Sequence, residues 1–321
     1  MERSRHGVAG GRESPMKAGS PGRRLRELLA GNTVAAPGAF NALVARAIEQ
    51  AGFEAVYVSG AGLANAVYGL PDVGLVTLTE AADHVRAICN AVGLPVVVDG
   101  DTGYGEAVNA ARTVRELEQA GAAGVHFEDQ VLPKKCGHLD GKSLISAEAM
   151  EEKIRAAAAA RRDPDFMIIA RTDARGVTSF ADAVERAERY LAAGADGLFP
   201  EALRDAEELA AFARRFGGVP LVANMTEFGK TPLLTLEELR AMGYRLVIYP
   251  QTALRTAFAA IAAMLADLRR DGHQRHWLDR MQTRAELYRL LDYDGLDAVD
   301  RAARGSPGPS RPAGGEGVRA G

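Results

Sequence analysis

A chain of 321 residues, 47% apolar and 25% charged, can bury about three quarters of the surface its unfolded form exposes, so an enzyme-sized globular protein is expected. Its 35 glycines follow no three-residue period and its apolar runs fall short of a membrane span, which excludes collagen-like and membrane-spanning helical readings. The net charge of -3 divides into +5 over residues 1–26 and -8 over the rest; that basic stretch lacks the aromatics of a nucleic-acid arm and the apolar core of a secretory signal, and is read as a solvated tail.

Beyond the tail, short apolar runs recur, each ending at a polar residue and most following a glycine. The first strand is expected at 33–36, followed by runs within 51–60 (AGFEAVYVSG), 92–101 (VGLPVVVDGD), 120–129 (AGAAGVHFED), 163–172 (DPDFMIIART), 193–202 (AGADGLFPEA), 217–226 (GGVPLVANMT) and 242–251 (MGYRLVIYPQ). Runs of four to six apolar residues suit parallel strands buried on both faces, and the glycines suit helix C-caps. Amphipathic stretches such as 110–120, 147–161 and 180–193 are long enough to cross over between parallel strands.

Eight such units predict an α/β fold, a TIM (β/α)8 barrel over 22–271. Helical patterns at 251–270 and 276–304 exceed what a plain barrel needs, so 272–304 is expected to pack on the barrel or on a neighbouring subunit. The Gly/Pro/Ser/Arg-rich stretch 305–321 and residues 1–21 are expected to be disordered. His84, His126, Trp277, Tyr288 and Tyr293 are read as packing residues.

Strand ends converge on one mouth of a barrel. They carry Ser59, Asp99, Asp101, Glu128, Asp129, Arg171, Glu201 and Asn224. Carboxylates gathered there repel one another unless a cation sits among them, and hard oxygen donors suit Mg²⁺ or Mn²⁺. Arg171 has no acid beside it in sequence and is expected to fork a substrate carboxylate. The loop 129–145 holds Lys134, Lys135, Cys136, Gly137 and His138; a thiol among ammonium groups and an imidazole is expected to favour its thiolate. Gly137 and Gly141 give the loop the freedom of a lid, while Cys89 is read as core. Two cysteines are too few for a disulfide framework, so a reducing, cytoplasmic setting is expected.

The segments KKCGH (134–138), VDGDTGYG (98–105), FEDQ (127–130), ARTDA (170–174), FPEA (199–202) and NMTEFG (224–229) resemble the isocitrate lyase and phosphoenolpyruvate mutase superfamily over about residues 25–304. The resemblance is strongest to the branch that cleaves 2-methylisocitrate to pyruvate and succinate. It implies a barrel whose eighth helix is swapped within a dimer, with dimers pairing into tetramers, and a Mg²⁺-dependent retro-aldol type reaction on a small 2-hydroxy di- or tricarboxylate. No nucleic-acid or membrane partner is expected.

Carried over by resemblance, Asp99 and Asp101 hold the metal, with Asp72 and Glu128 in its shell of waters. Ser59, Gly60, Ala61 and Arg171 would hold the 2-oxo acid carboxylate. Glu201, Asn224, Met225 and Thr226, with Arg255 and Arg284, would contact the succinyl half. Cys136, with Gly137 beside it, matches the acid; Tyr57 or a metal-bound water is the base. Gly100 stands where alanine is common and is given little weight, whereas Ala61, glycine in some members, touches the substrate carboxylate. The short chain without an inserted domain disfavours isocitrate, and Cys136 disfavours P–C chemistry. Cleavage of dimethylmalate or oxaloacetate is the alternative.

Overall fold

The computed structural model describes residues 19–304, so the expectations for 1–18 and 305–321 lie outside it. The described residues fall into two compact units, 19–274 and 275–304. The first opens with helix α1 (Pro21–Gly31), whose proline sits in the first turn and whose Ser20 hydroxyl accepts from the Arg23 N–H. Helix α1 begins at residue 21, the last residue of the stretch expected to be a tail.

Eight strands follow, one at each expected run: β1 (Val34–Pro37), β2 (Val56–Val58), β3 (Val96–Asp99), β4 (Gly124–Glu128), β5 (Met167–Thr172), β6 (Gly197–Pro200), β7 (Val222–Asn224) and β8 (Leu246–Tyr249). All pair in parallel, in the orders β2-β3-β4-β5-β6 and β1-β8-β7. Single bridges at Gly38–Tyr57 and Leu198–Leu221 join the two sheets into a closed barrel.

Helices between the strands cover the outside: α2 (Ala42–Gln50), α3 (Gly60–Tyr68), α4 (Leu78–Cys89), α5 (Ala107–Gln119), α6 (Ala147–Ala160), α7 (Ala174–Val177), α8 (Phe180–Ala192), α9 (Ala206–Arg215) and α10 (Leu236–Met242). After β8 comes α11 (Thr252–Asp271), of which Leu254 alone is buried. The helix ends carry the predicted signals. Thr77 and Glu80 form a reciprocal capping box at the start of α4, and Gly243 ends α10 in the left-handed region at φ 104°.

Alternation along the strands separates two cores. Val56, Val58, Val96, Val98, Val125, Phe127, Ile168, Ala170 and Val247 face the helices. Val34, Ala36, Tyr57, Val97, Met167, Ile169, Phe199, Val222, Leu246 and Ile248 face the axis, where they pack with Leu25 and Leu29 of α1. Position 99, two beyond 97, 171, two beyond 169, and 224, two beyond 222, continue the inward rows to the opposite mouth.

The second unit contains a 3₁₀ turn (Arg275–Arg280), α12 (Arg284–Leu290) and α13 (Tyr293–Ala303), over the stretch 276–304 read as helical. Tyr288 and Tyr293 stack with centroids 4.8 Å apart, and Arg280 lies 5.0 Å over Trp277, consistent with packing roles. Among the described residues, no helix is long and apolar enough to cross a membrane.

Candidate active site

At the C-terminal mouth a cavity of about 570 Å³ is lined by Tyr57, Ser59, Ala61, Asp72, Asp99, Glu128, Lys134, Cys136, Gly137, His138, Arg171, Glu201, Asn224, Thr226, Gln251 and Arg255, among others. Most expected site residues thus converge. Gly60 donates its N–H to Asp99 Oδ2 at 3.1 Å, and a methyl group on it would stand 3.0 Å from Asp101 Oδ1 and 3.2 Å from Asp99 Oδ2. Glycine there leaves room for the acid pair.

Asp101 turns back toward Asp99. Its φ of 46° lies in the left-handed region, costly for a non-glycine residue, and its N–H donates to Asp99 Oδ1 at 3.1 Å. Gly100 between them is closely packed: a methyl group would stand 2.6 Å from Val125 Cγ2 and 2.7 Å from Phe127 Cε1, so these neighbours would have to shift to admit one.

Arg171, with no acid beside it in sequence, is surrounded by acids in the fold. It donates to both oxygens of Asp173, at 3.0 and 3.2 Å, and lies 3.2 Å from Glu128 and 3.4 Å from Glu201. Glu201 in turn meets His138 Nε2 at 3.0 Å and accepts from Asn224 at 3.1 Å. His138 Nδ1 accepts the Lys230 N–H at 3.0 Å, which puts the proton of the neutral ring on the nitrogen facing Glu201. Burial raises the Glu201 carboxyl, but Arg171, His138 and Asn224 outweigh it and hold the group well below the usual range.

The loop 129–145 brings a cation into the acids. Lys134, 3% exposed, bonds Asp72 and lies 2.7 Å from Asp101 Oδ1. Burial raises the Asp101 carboxyl to about 6, with Asp99 and Asp72 adding repulsion and Lys134 opposing. Asp99 is held down to about 2 against burial, by His126, Lys134 and Arg171. Glu128 is pushed well up by burial.

Burial is the first influence on the Cys136 thiol. Lys134 points into the acids, and burial pushes the thiol up rather than down. The expected thiolate is therefore corrected to a protonated thiol. Tyr57 also keeps its proton: burial, then Asp99, raise the phenol well above its ordinary value. Its hydroxyl lies 2.8 Å from His126 Nε2 inside the barrel.

Three expected residues stand apart. Met225 is 2% exposed in the outer core, where its sulfur accepts the Leu234 N–H; it lies outside the cavity because it alternates with inward-facing Asn224. Asp129 faces away from the cavity, bound by Thr172, the Asp173 N–H, Tyr190 and Arg186. Arg284 belongs to the second unit, in the first turn of α12.

A profile described as phosphoenolpyruvate phosphomutase matches residues 25–269. The chain belongs to this family. A Corynebacterium glutamicum protein described as "Probable 2-methylisocitrate lyase 1" is 53% identical over 83% of this chain and 87% of its own, and an Aeropyrum pernix 2-methylisocitrate lyase is 52% identical over 87% and 90%. Among solved structures, oxaloacetate acetylhydrolase with 3,3-difluorooxalacetate superposes with a TM-score of 0.85 at 36% identity, covering 90% of this chain and 98% of that one. A 2,3-dimethylmalate lyase gives 0.84 at 36% over 90% and 96%, and a phosphonopyruvate hydrolase with oxalate and Mg²⁺ gives 0.80 at 34% over 88% and 98%. The chain thus shares a TIM-barrel superfamily of carbon–carbon lyases and mutases.

For a member of the phosphoenolpyruvate phosphomutase family, the fit of a metal can be tested on this chain's own atoms. Among the described residues no three ligand side chains close a cage as they stand, and Lys134 contacts both Asp72 and Asp101. Yet Asp101 Oδ1 has only that charge contact and no aligned hydrogen bond, and Glu128 Oε1 has no hydrogen-bond partner. Buried, underpaired carboxylate oxygens beside Asp99 form a hard donor set that fits a divalent cation.

Sequence reasoning passed over Asp173, Lys142 and Gln251. ARTDA (170–174) displayed Asp173 two residues after Arg171, on the same strand exit. Gln251 is the polar residue that ends the eighth apolar run, 242–251, and the strand-end rule could have found it; Lys142 carried no signal of its own.

Proposed function

We propose that the chain cleaves 2-methylisocitrate to pyruvate and succinate. The observation that carries this reading is the seating of the Cys136–Gly137 segment directly on Arg171 and Glu201, in the cavity that also holds Asp99 and Glu128. A methyl group on Gly137 would overlap Arg171 Nη2 and stand 2.5 Å from Glu201 Cγ. The thiol therefore belongs to the pocket and not to a surface loop. Sequence identities above 50% to two proteins named for this activity support the same substrate.

Asp99, Asp101 and Glu128, with Asp72 nearby, would hold Mg²⁺, or Mn²⁺. When bound, the ion supplies Lewis acidity toward the substrate hydroxyl and its neighbouring carboxylate. Ser59 and the backbone of Gly60 and Ala61 would hold the 2-oxo acid carboxylate, with Arg171 fixing the acids around it. Asn224, Thr226, Glu201 and Arg255 would face the succinyl half.

The hydroxyl proton leaves as the C–C bond breaks; the bond's electron pair goes to the succinyl carbon. Cys136 donates its thiol proton to that carbon, and the lost hydroxyl proton restores the thiol, so no outside reactant is consumed. A protonated thiol is the form this step needs. Tyr57, protonated beside His126, serves better as a hydrogen-bond donor to the forming oxo group than as the resting base.

Product analysis tests the assignment: pyruvate by lactate dehydrogenase from 2-methylisocitrate and dimethylmalate, glyoxylate from isocitrate, and pyruvate or oxalate from oxaloacetate. Fastest turnover on 2-methylisocitrate is expected; release from dimethylmalate alone would favour the alternative, which the 2,3-dimethylmalate lyase neighbour supports.

We also propose that the chain works as a homo-oligomer with the C-terminal helices exchanged between subunits. Phe258, Ile261, Leu265 and Leu268 lie exposed along α11, as do Leu291, Leu296 and Val299 of the second unit. Light scattering after gel filtration measures the mass. A cytoplasmic location accords with the two free thiols.

A further inference from the structure

Lys142, outside every role assigned above, has a side chain 1% exposed. Its ammonium donates to Asp173 Oδ1 at 2.6 Å and to the carbonyl oxygen of Gly137. Gly176 leaves the room it needs, since a methyl group there would stand 3.1 Å from Nζ. Asp173 is itself fixed: its N–H donates to Asp129 Oδ1 at 2.9 Å, and its other oxygen accepts Arg171 Nε at 3.0 Å.

A carbonyl and a carboxylate repel, so a cation between them is what lets the loop backbone settle on this acid. Neutralising Asp173 would require no contact with the loop. The bond to Gly137, next to Cys136, is the part of the geometry that charge balance leaves unexplained. We propose that Lys142 is a positioning residue for Cys136, pinning the carbonyl of Gly137 to Asp173 and so fixing where the thiol stands over the pocket. Gly137 supplies the space for close approach and Lys142 supplies the grip.

This inference rests on the lyase reading of Cys136. The test uses the full chain in a Cys89→Ser background, which leaves Cys136 as the only thiol, and compares Lys142 with Lys142→Met and Lys142→Arg. Three quantities are read: kcat and KM for pyruvate release, the rate of Cys136 alkylation by iodoacetamide from intact mass, and oxalate affinity in the presence of Mg²⁺.

Loss of positioning in Lys142→Met is expected to lower kcat about a hundredfold with KM and oxalate affinity within about threefold, because ångström displacements of a reacting group cost that much. Alkylation is expected to quicken about tenfold as the thiol is released from its burial. Lys142→Arg, which keeps a donor cation toward Asp173, should recover part of both. If Lys142→Met does not fold, Lys142→Arg alone must show the paired drop in kcat and rise in alkylation. A fall in kcat with an unchanged alkylation rate, or a loss confined to KM and oxalate affinity, overturns the proposal. Absence of pyruvate release from the parent protein removes the lyase reading instead, and the alkylation rates still decide whether Lys142 holds the loop.

Discussion

Lys134 Nζ lies 2.7 Å from Asp101 Oδ1 and also bonds Asp72, so a loop ammonium reaches the carboxylates that a divalent ion would need. Lys134→Met leaves those acids unbalanced. The metal-free protein should lose about 3–5 kcal/mol, the usual cost of removing one partner of a buried pair. Added Mg²⁺ should then raise Tm more in the variant than in the parent. Calorimetry with and without the ion checks both; an equal rise in the two proteins would mean that lysine and metal do not share ligands.

Cys136 should behave as an acid across neutral pH. Burial raises the thiol from its ordinary value near 9, so the protonated form dominates below that and the alkaline limb of kcat should lie above pH 9. Iodoacetamide alkylation should accordingly climb with pH through that region. A rate already level by pH 7 would restore the thiolate expectation. Cys136→Ser should cost roughly 10²- to 10⁴-fold in kcat, the usual scale of a lost proton donor, while oxalate still binds.

Gly137→Ala places a methyl group against Arg171 and 2.5 Å from Glu201 Cγ. The loop must lift, so kcat should fall about a hundredfold, with Tm shifted little because the strain is relieved by moving the loop. Kinetics beside differential scanning fluorimetry separates the two effects. Retained turnover would show that the close seating is dispensable.

Gly100→Ala is a stability experiment. The new methyl group meets Val125, Phe127 and the His126 carbonyl oxygen within 2.6 to 2.9 Å, and overpacking of that kind costs about 1–3 kcal/mol. Urea denaturation should show the midpoint fall. An unchanged midpoint would mean the β3–β4 packing yields more readily than its distances imply.

The eight strands were legible because parallel strands buried on both faces leave short, dense apolar runs that few other elements mimic. Asp99, Glu128, Arg171, Glu201 and Asn224 followed from being the last residues of those runs. Alternation also held the answer for Met225, one step from an inward position, and for Asp129, one step from Glu128. The resemblance, applied by motif, overrode that rule for Met225. The directions of Lys134 and Lys142 were not legible. A lysine in a glycine-containing loop carries four flexible carbons, and the acids that orient these two, Asp72 for Lys134 and Asp173 for Lys142, lie 62 and 31 positions away in sequence. For the same reason the nearness of Lys134 to Cys136 in sequence misstated the thiol's surroundings: adjacency along the chain says little about which charge faces which group once side chains bury.

Leu25 and Leu29 of α1 pack with the axis-facing residues at the end of the barrel opposite the cavity. With that floor stoppered, the mouth lined by the Cys136 segment is the end left open to solutes, so substitutions in that segment bear on entry and departure as well as on the bond that breaks.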